Sequence, residues 1–177
     1  MKKWTFVFTA GLFMMAACNN QKTEPVTTVA AAQNTVALPF TAGYSSSFEM
    51  GKPEHSALIL QGSWKDWEDN KIDDMKRWVA DTVIAFHSDN NMVKGVDSLM
   101  ANWKAARAKY SSVIDTIDAV IPVYSIDKKE NWVLVWAKSI NTKLDGSKDT
   151  TELMETWRIN KDGKADFLLQ YDRRKRK

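Results

Sequence analysis

The second half of the chain alternates in side-chain character with the two-residue period of a β-strand. This alternation predicts four strands, at 113–124, 131–142, 150–160 and 165–173. Asp145-Gly146 and Asp162-Gly163 are hairpin turn sequences that separate the last three strands, which therefore form an antiparallel meander. In 131–142 both faces are largely apolar, so we expect both faces of this strand to be covered.

The first half of the chain instead shows apolar residues at helical spacing. The spacing predicts helices at 53–69, 74–79 and 96–110, and Pro53 suits the first turn of the first helix. A β-branched, apolar run at 82–86 predicts one strand between the second and third helices. Helices that precede an antiparallel sheet indicate an α+β fold.

The N-terminal 17 residues have the pattern of an export signal. Lys2 and Lys3 precede an uncharged, mostly apolar run at 4–17, which is shorter than the ~20 residues that a membrane-spanning helix needs. Small residues then lead into Cys18, the single cysteine of the chain. This segment resembles a bacterial lipoprotein signal. The resemblance implies cleavage before Cys18, lipid on its sulfur and a position in the cell envelope, with Asn19 compatible with the outer membrane.

Composition divides the rest of the chain into three parts. Residues 18–47 are rich in Thr, Ala, Ser and Asn without a sustained period, which predicts a lipid-anchored flexible tether. A folded domain is predicted at 48–173 and a basic tail at 174–177. The chain has 25 Lys and Arg against 22 Asp and Glu, but seven of the basic residues lie at its two ends. The body is therefore acidic, which argues against nucleic-acid binding.

A set of short sequence blocks resembles the nuclear transport factor 2-like superfamily, which includes SnoaL-like polyketide cyclases and ketosteroid isomerase. The blocks keep their order and spacing over roughly 55–173, and they are Asp69–Met75, Trp78–Val83, Val93–Leu99, Trp132–Trp136, Glu155–Lys164 and Gln170-Tyr171. The resemblance implies a cone-shaped, cystatin-like roll. In such a roll a strongly curved antiparallel sheet wraps around three N-terminal helices over a pocket. Many members of the superfamily form homodimers through the sheet.

The isomerase of this superfamily provides a template for the catalytic residues. It uses a carboxylate base together with a tyrosine and a protonated aspartic acid. The base position falls on His87 or Phe86 in this chain, and the tyrosine position falls on Ser63 or Trp64. Neither pair supplies the required side chain, so the isomerase mechanism is not carried over.

Two residues are nevertheless candidates for acid/base chemistry. His87 titrates near neutrality, and its alternative role is a hydrogen bond within the polar turn that follows the strand. Asp81 is the second candidate catalytic residue, with a turn or capping role as its alternative. Asp115 and Asp118 lie on opposite faces of one predicted strand, so one of them is a candidate for burial, which raises a carboxyl pKa.

Aromatic residues are the remaining signal for a binding site. Candidates for the lining of a ligand pocket, each with ordinary core packing as the alternative, are Trp64, Trp67, Trp103, Trp136, Trp157 and Tyr171. His55 and His87 are the chain's two histidines and lie far apart in sequence, so we predict neither a metal site nor a cofactor.

These observations leave three classes of function open. The first is a lipid-anchored domain that binds a small, partly apolar molecule in an aromatic-lined pocket. The second is a SnoaL-like enzyme of the isomerase, cyclase or dehydratase type, which predicts an ionisable side chain inside a cavity. The third is a dimerising scaffold, which predicts a filled interior and an exposed apolar sheet face.

The predicted anchor gives a direct test. Cys18→Ser removes the sulfur that accepts the lipid, so we expect the variant to lose its lipid and leave the membrane fraction. Cell fractionation with mass spectrometry of the N-terminal peptide measures both changes. A processed variant that still partitions with membranes would contradict the lipoprotein assignment.

Overall fold

One mixed sheet of seven strands dominates the computed structural model, which describes residues 39–174. Its strands are β1 (Phe48–Met50), β2 (Val79–Phe86), β3 (Met92–Lys94), β4 (Tyr110–Ser125), β5 (Glu130–Lys143), β6 (Lys148–Ile159) and β7 (Ala165–Arg174). Their order across the sheet is β1-β4-β5-β6-β7-β2-β3. The β2–β7 pair is parallel and all the other pairs are antiparallel, so the predicted meander forms the middle of the sheet.

The helices cover one face of this sheet. Helix α1 (Pro53–Ile59) continues through a π-helical segment (Leu60–Lys65) into α2 (Asp66–Glu68), and these segments together span the first predicted helix. Two further helices are α3 (Ile72–Met75) and α4 (Val96–Arg107). The predicted α+β class is therefore confirmed, with the helices packed against a seven-stranded sheet.

Three details differ from the sequence prediction. The second helix ends at Met75, not at residue 79, because the backbone from Trp78 onward pairs with Ala165 at the start of β7. Strands β1 and β3 were not predicted, since each has three residues at an edge of the sheet and is too short to show a period.

The concave face of the sheet contacts the helices and contains the core. In β5 the small apolar residues Val133, Val135 and Ala137 point inward and are almost fully buried. Trp132 and Trp136 alternate with them and lie half-exposed on the opposite face. Bulky aromatic residues therefore occupy the outer face of β5, while the inner face leaves room for the helices.

Three tryptophans from different elements form the centre of the core. The Trp78 ring lies 5.5 Å from that of Trp157, and the Trp103 ring lies 6.3 Å from it, measured between ring centroids. Trp157 is completely buried on β6, whereas Trp78 precedes β2 and Trp103 belongs to α4. This cluster joins the helices to the middle of the sheet.

Several of the predicted segments lie wholly or partly outside residues 39–174. The signal peptide at 1–17, the lipidation site at Cys18, the tether up to residue 38 and the tail residues 175–177 lie outside the described residues. Within the segment predicted as a tether, Tyr44 stacks edge-on against Trp132 at 5.7 Å and donates a hydrogen bond to Glu130. Of the helices between residues 39 and 174, none is long and apolar enough to cross a membrane.

Gly62 lies where the π-helical segment touches the core. A Cβ atom at this position would overlap the indole ring of Trp78. We expect Gly62→Ala to lower the free energy of unfolding by about 2 kcal/mol, because the core has no room for the added methyl group. Helix propensity alone would raise stability by about 1 kcal/mol, so the sign of the change is diagnostic.

Gly43→Ala is the matched control, because no atom lies within 4 Å of a Cβ built there. Urea unfolding of both variants and the wild type measures the difference. Equal stability of the two variants would show that the contact between Gly62 and Trp78 is not a packing constraint.

Candidate functional site

A cavity of about 390 Å³ lies between the concave face of the sheet and the helices. Its wall combines indole rings from the helices with polar side chains from the strands. The lining residues are Ser63, Trp64, Trp67, Met75, His87, Ser88, Asp89, Asn102, Trp103, Ala106, Lys109, Tyr110, Asp115, Ser139, Asn141, Thr151, Leu153, Glu155, Leu168, Gln170 and Asp172. The size suits a small organic molecule.

Strand register explains why polar side chains meet in this cavity. Residues directly opposite each other in a sheet share a face, and one such row contains Asp115, Ser139 and Thr151. A second row contains Glu155 and Gln170 on β6 and β7. The inner face therefore changes from an apolar end around Trp157 to a polar end that borders the cavity.

Glu155 is the most deeply buried carboxyl group of this wall, with 5% of its surface exposed. The Trp157 indole N–H donates to its Oε2 at 2.9 Å, and the Gln170 amide donates to its Oε1 at 2.8 Å. Burial raises the pKa of Glu155 to about 7, and the nearby Asp115 carboxyl adds to the rise while the two hydrogen bonds partly oppose it. Glu155 therefore exchanges a proton near neutral pH.

Asp115 is the second carboxyl group of the wall. Within the described part of the chain, both of its carboxyl oxygens are buried and lack a hydrogen-bond partner of good geometry. Burial raises the pKa of Asp115 to about 6, whereas the adjacent Ser139 hydroxyl and the Arg107 guanidinium partly oppose the rise. A buried carboxylate without partners is energetically costly, so a ligand that donates hydrogen bonds to it would be stabilised.

The third titratable group is His87, which follows β2 and lines the cavity beside Gln170. Burial lowers the pKa of His87, and the neighbouring Gln170 and Asp89 partly oppose this effect. The imidazole is therefore neutral at pH 7 and can act as a proton acceptor. Since Gln170 also binds Glu155, one amide side chain lies next to both titratable groups.

Arg107 is buried near the cavity but is used by the backbone. Its three guanidinium nitrogens donate to the carbonyl oxygens of Trp67, Tyr110 and Glu68 at 3.0, 2.9 and 3.2 Å, respectively. These bonds satisfy carbonyl groups at the end of α2 and the start of β4, so Arg107 fixes the helices to the sheet. Its charge acts on Asp115 from a distance and not through a hydrogen bond among those described.

The residues predicted as site candidates separate into two groups in the structure. His87, Trp64, Trp67 and Trp103 line the cavity, and Trp157 lies directly behind Glu155. Trp136 and Tyr171 lie on the outer face of the sheet. Successive side chains of a strand point to opposite faces, and the neighbours of these two residues on β5 and β7 point inward. Asp81 is exposed, because the irregular register between Val79 and Ile84 interrupts the alternation that would group it with His87.

Sequence reasoning did not select Glu155 or Gln170. Glu155 alternates with Leu153, Trp157 and Ile159 on the apolar face of β6, and a carboxylate in such a row is a signal of a buried site. Gln170 has no comparable signal, since its position between Leu169 and Tyr171 is typical of a solvent-facing residue. Of Asp115 and Asp118, the structure buries the carboxyl oxygens of Asp115 and exposes Asp118.

No group of three or more His, Cys, Asp or Glu side chains in the described ranges has the arrangement of a metal site. The cavity wall instead offers four carboxyl groups, one imidazole, side-chain amides and hydroxyls. This set of groups can bind hydrogen-bonding ligands and transfer protons.

The buried carboxyl of Glu155 predicts a pH-dependent stability. Its pKa is higher in the folded than in the unfolded chain, so the folded state binds the extra proton and loses this stabilisation as the pH rises through about 7. The amide side chain of the Glu155→Gln variant stays neutral at every pH. We therefore expect the free energy of unfolding of Glu155→Gln, relative to that of the wild type, to rise by about 2 kcal/mol as the pH increases from about 5 to about 8.

Urea unfolding of both proteins at several pH values in this range isolates the contribution of Glu155 from other titrating groups. A constant difference in the free energy of unfolding from pH 5 to pH 8 would contradict a raised pKa for Glu155.

No protein-family model and no curated protein matches the sequence of this chain. Similarity to known proteins therefore appears in the three-dimensional structure. A protein from Shewanella denitrificans OS-217, named after SnoaL-like polyketide cyclases, superposes with a TM-score of 0.57 at 8% identity. The superposition covers 69% of this chain and 92% of that protein.

Two further solved structures are similar. One is an NTF2-like protein of unknown function from Exiguobacterium sp. 255-15, with a TM-score of 0.55, 15% identity and coverage of 65% of this chain and 98% of that one. The other is the Δ5-3-ketosteroid isomerase from Mycobacterium sp., with a TM-score of 0.54, 16% identity and coverage of 66% and 92%. At these identities the similarity establishes the fold. The chain has the nuclear transport factor 2-like fold.

Proposed function

We propose that this protein is an enzyme that binds a small, partly apolar molecule in its cavity and transfers a proton on it. The observation that carries the proposal is that three of the side chains lining one cavity have a pKa shifted by burial, namely His87, Asp115 and Glu155. Burial raises the pKa of Asp115 to about 6 and that of Glu155 to about 7, and it lowers the pKa of His87. Side chains with such shifts are common at sites of acid/base chemistry.

The geometry supports a division of roles. Glu155 is oriented by Trp157 and Gln170, and with a pKa of about 7 it is present in both protonated and ionised forms at neutral pH. It is therefore suited to accept a proton from the substrate and to return it. His87, neutral at pH 7, is the second proton acceptor on the same wall.

The aromatic part of the wall supports the binding of an apolar body. Trp64 and Trp103 are more than nine-tenths buried, and Trp67 is half-buried beside them. One structural neighbour is named as a ketosteroid isomerase, whose chemistry is a proton transfer on an apolar substrate. Its catalytic positions are not repeated in this chain, so the proposal depends on the groups present here.

The proposal includes a position in the bacterial cell envelope. Its support is the sequence before Cys18, which resembles a lipoprotein signal, and Asn19, which is compatible with the outer membrane. The tether of 18–47 would let the domain meet small molecules outside the cytoplasm.

Solvent exchange tests the proposed chemistry without knowledge of the substrate. The full chain is incubated in D₂O near neutral pH with a panel of small ketones, enones and amino ketones, and deuterium uptake is measured by mass spectrometry. We expect uptake above the protein-free rate for at least one compound, and a loss of about 100-fold or more in Glu155→Gln because the base is removed.

Asp118→Asn is the matched control, since Asp118 is an exposed carboxylate on β4, the strand of Asp115. This variant should exchange at the wild-type rate. Exchange that persists in Glu155→Gln, or a panel in which no compound exchanges, would contradict the proposed proton transfer and favour binding without catalysis.

A second candidate function is self-association through the outer face of the sheet. The neighbouring strands β5, β6 and β7 place three cross-strand partners in one row on this face, namely Trp136, Met154 and Tyr171. Tyr171 is 56% exposed. Exposed apolar rows of this kind are typical of contact surfaces. Sedimentation of the full chain and of Trp136→Lys measures whether a dimer depends on this row.

A further inference from the structure

The charges that line the cavity are unbalanced. The wall contains four carboxyl side chains, which belong to Asp89, Asp115, Glu155 and Asp172. Among the described lining residues, Lys109 supplies the one basic side chain other than His87, and it is exposed. His87 is neutral at pH 7 because burial lowers its pKa. The wall therefore favours a positively charged ligand and disfavours an anion.

The carboxyl groups differ in how many partners they already have. Glu155 accepts hydrogen bonds from Trp157 and Gln170, and the partners of Asp172 include the Ser88 hydroxyl, which donates to it at 2.8 Å. The Asp89 side chain accepts one from the backbone N–H of Asn91 at 2.9 Å. Asp115, by contrast, has two buried oxygens that accept no hydrogen bond of good geometry among the described residues, and its neighbour on the next strand is the neutral Ser139 hydroxyl.

The basic side chains near Asp115 form hydrogen bonds or ion pairs with other groups. Arg107 donates all of its guanidinium nitrogens to backbone carbonyl groups. Lys65 forms ion pairs with Glu68 and Asp69 at 3.3 and 3.0 Å. A bound group with positive charge and several N–H donors would therefore satisfy Asp115 where these side chains do not.

The opposite wall of the cavity is suited to the same ligand. Indole rings attract cations through the negative electrostatic potential of their faces, and Trp64, Trp67 and Trp103 all line this space. Carboxylate and aromatic groups that line the same cavity form the usual combination for binding an organic ammonium ion.

We propose that the cavity selects a small organic cation, a protonated amine on an apolar body, with Asp115 as its counter-charge and the indole rings as its apolar contact. This inference rests on the proposed function, because it names the substrate class of the same cavity. It leaves Glu155 and His87 available for proton transfer on the bound amine.

Two probes of nearly equal shape test the selection. Benzylamine is protonated at pH 7.5, whereas benzyl alcohol is neutral, and isothermal titration calorimetry on the full chain in nonionic detergent measures each affinity. A titration into detergent alone provides the blank. We expect benzylamine to bind at least about tenfold more tightly than benzyl alcohol, which is the ratio that one charge-assisted hydrogen bond supplies.

Asp115→Asn should reduce this preference to about threefold or less, since it keeps the shape of the side chain and removes its charge. Asp118→Asn should keep the wild-type preference, because that carboxylate is exposed. Thermal unfolding of both variants verifies that they are folded. Equal affinities in the wild type, absence of binding, or a preference that survives Asp115→Asn would overturn the inference.

The outcomes separate this inference from the proposed function. Deuterium exchange on neutral ketones without any preference for benzylamine would leave the proton-transfer proposal standing and reject the amine. A preference for benzylamine that depends on Asp115, without exchange on any compound of the panel, would keep the ligand class and reject the catalysis.

Discussion

The indole of Trp157 connects the core of this protein to its candidate site. Its ring packs against Trp78 and Trp103, which joins β6 to the segment before β2 and to α4. Its N–H donates to Glu155 two residues earlier on the same strand. Because the ring is fully buried, the carboxyl group that it binds is held at a fixed position in the cavity wall. The packing of the core and the orientation of Glu155 therefore depend on the same side chain.

The cavity is stabilised from outside its wall. Two carboxyl groups in low-dielectric surroundings oppose folding once they ionise, which is the usual energetic cost of a functional site. The apolar rows at the other end of the sheet, together with Arg107 of α4, which binds carbonyl groups at the end of α2, offset this cost. The π-helical segment adds one constraint, since Gly62 allows the backbone to approach the Trp78 ring. Such segments often occur at functional sites.

Strand periodicity made the fold predictable, but it did not identify the buried face. The alternation in β5 separates Trp132 and Trp136 from Val133 and Val135, and both sets are apolar, so hydrophobicity alone does not select one. The concave face takes the smaller set because the helices need the space. Glu155 was detectable as a carboxylate in an apolar row, whereas Gln170 and the bulge that turns Asp81 outward depend on pairing between distant strands. Tertiary contacts of this kind have no local pattern.

The parallel pairing of β2 with β7 has a consequence for the order of folding. Val79 pairs with Ala165, and Phe86 pairs with Leu169, so the two partners are separated by most of the domain. Contacts of such long sequence separation form slowly. Since Gln170 belongs to β7 and contacts Glu155, the wall of the cavity is complete only after the last strand has joined the sheet. The helices, which all precede β4 in the chain, can therefore form before the contact between Gln170 and Glu155 completes the wall.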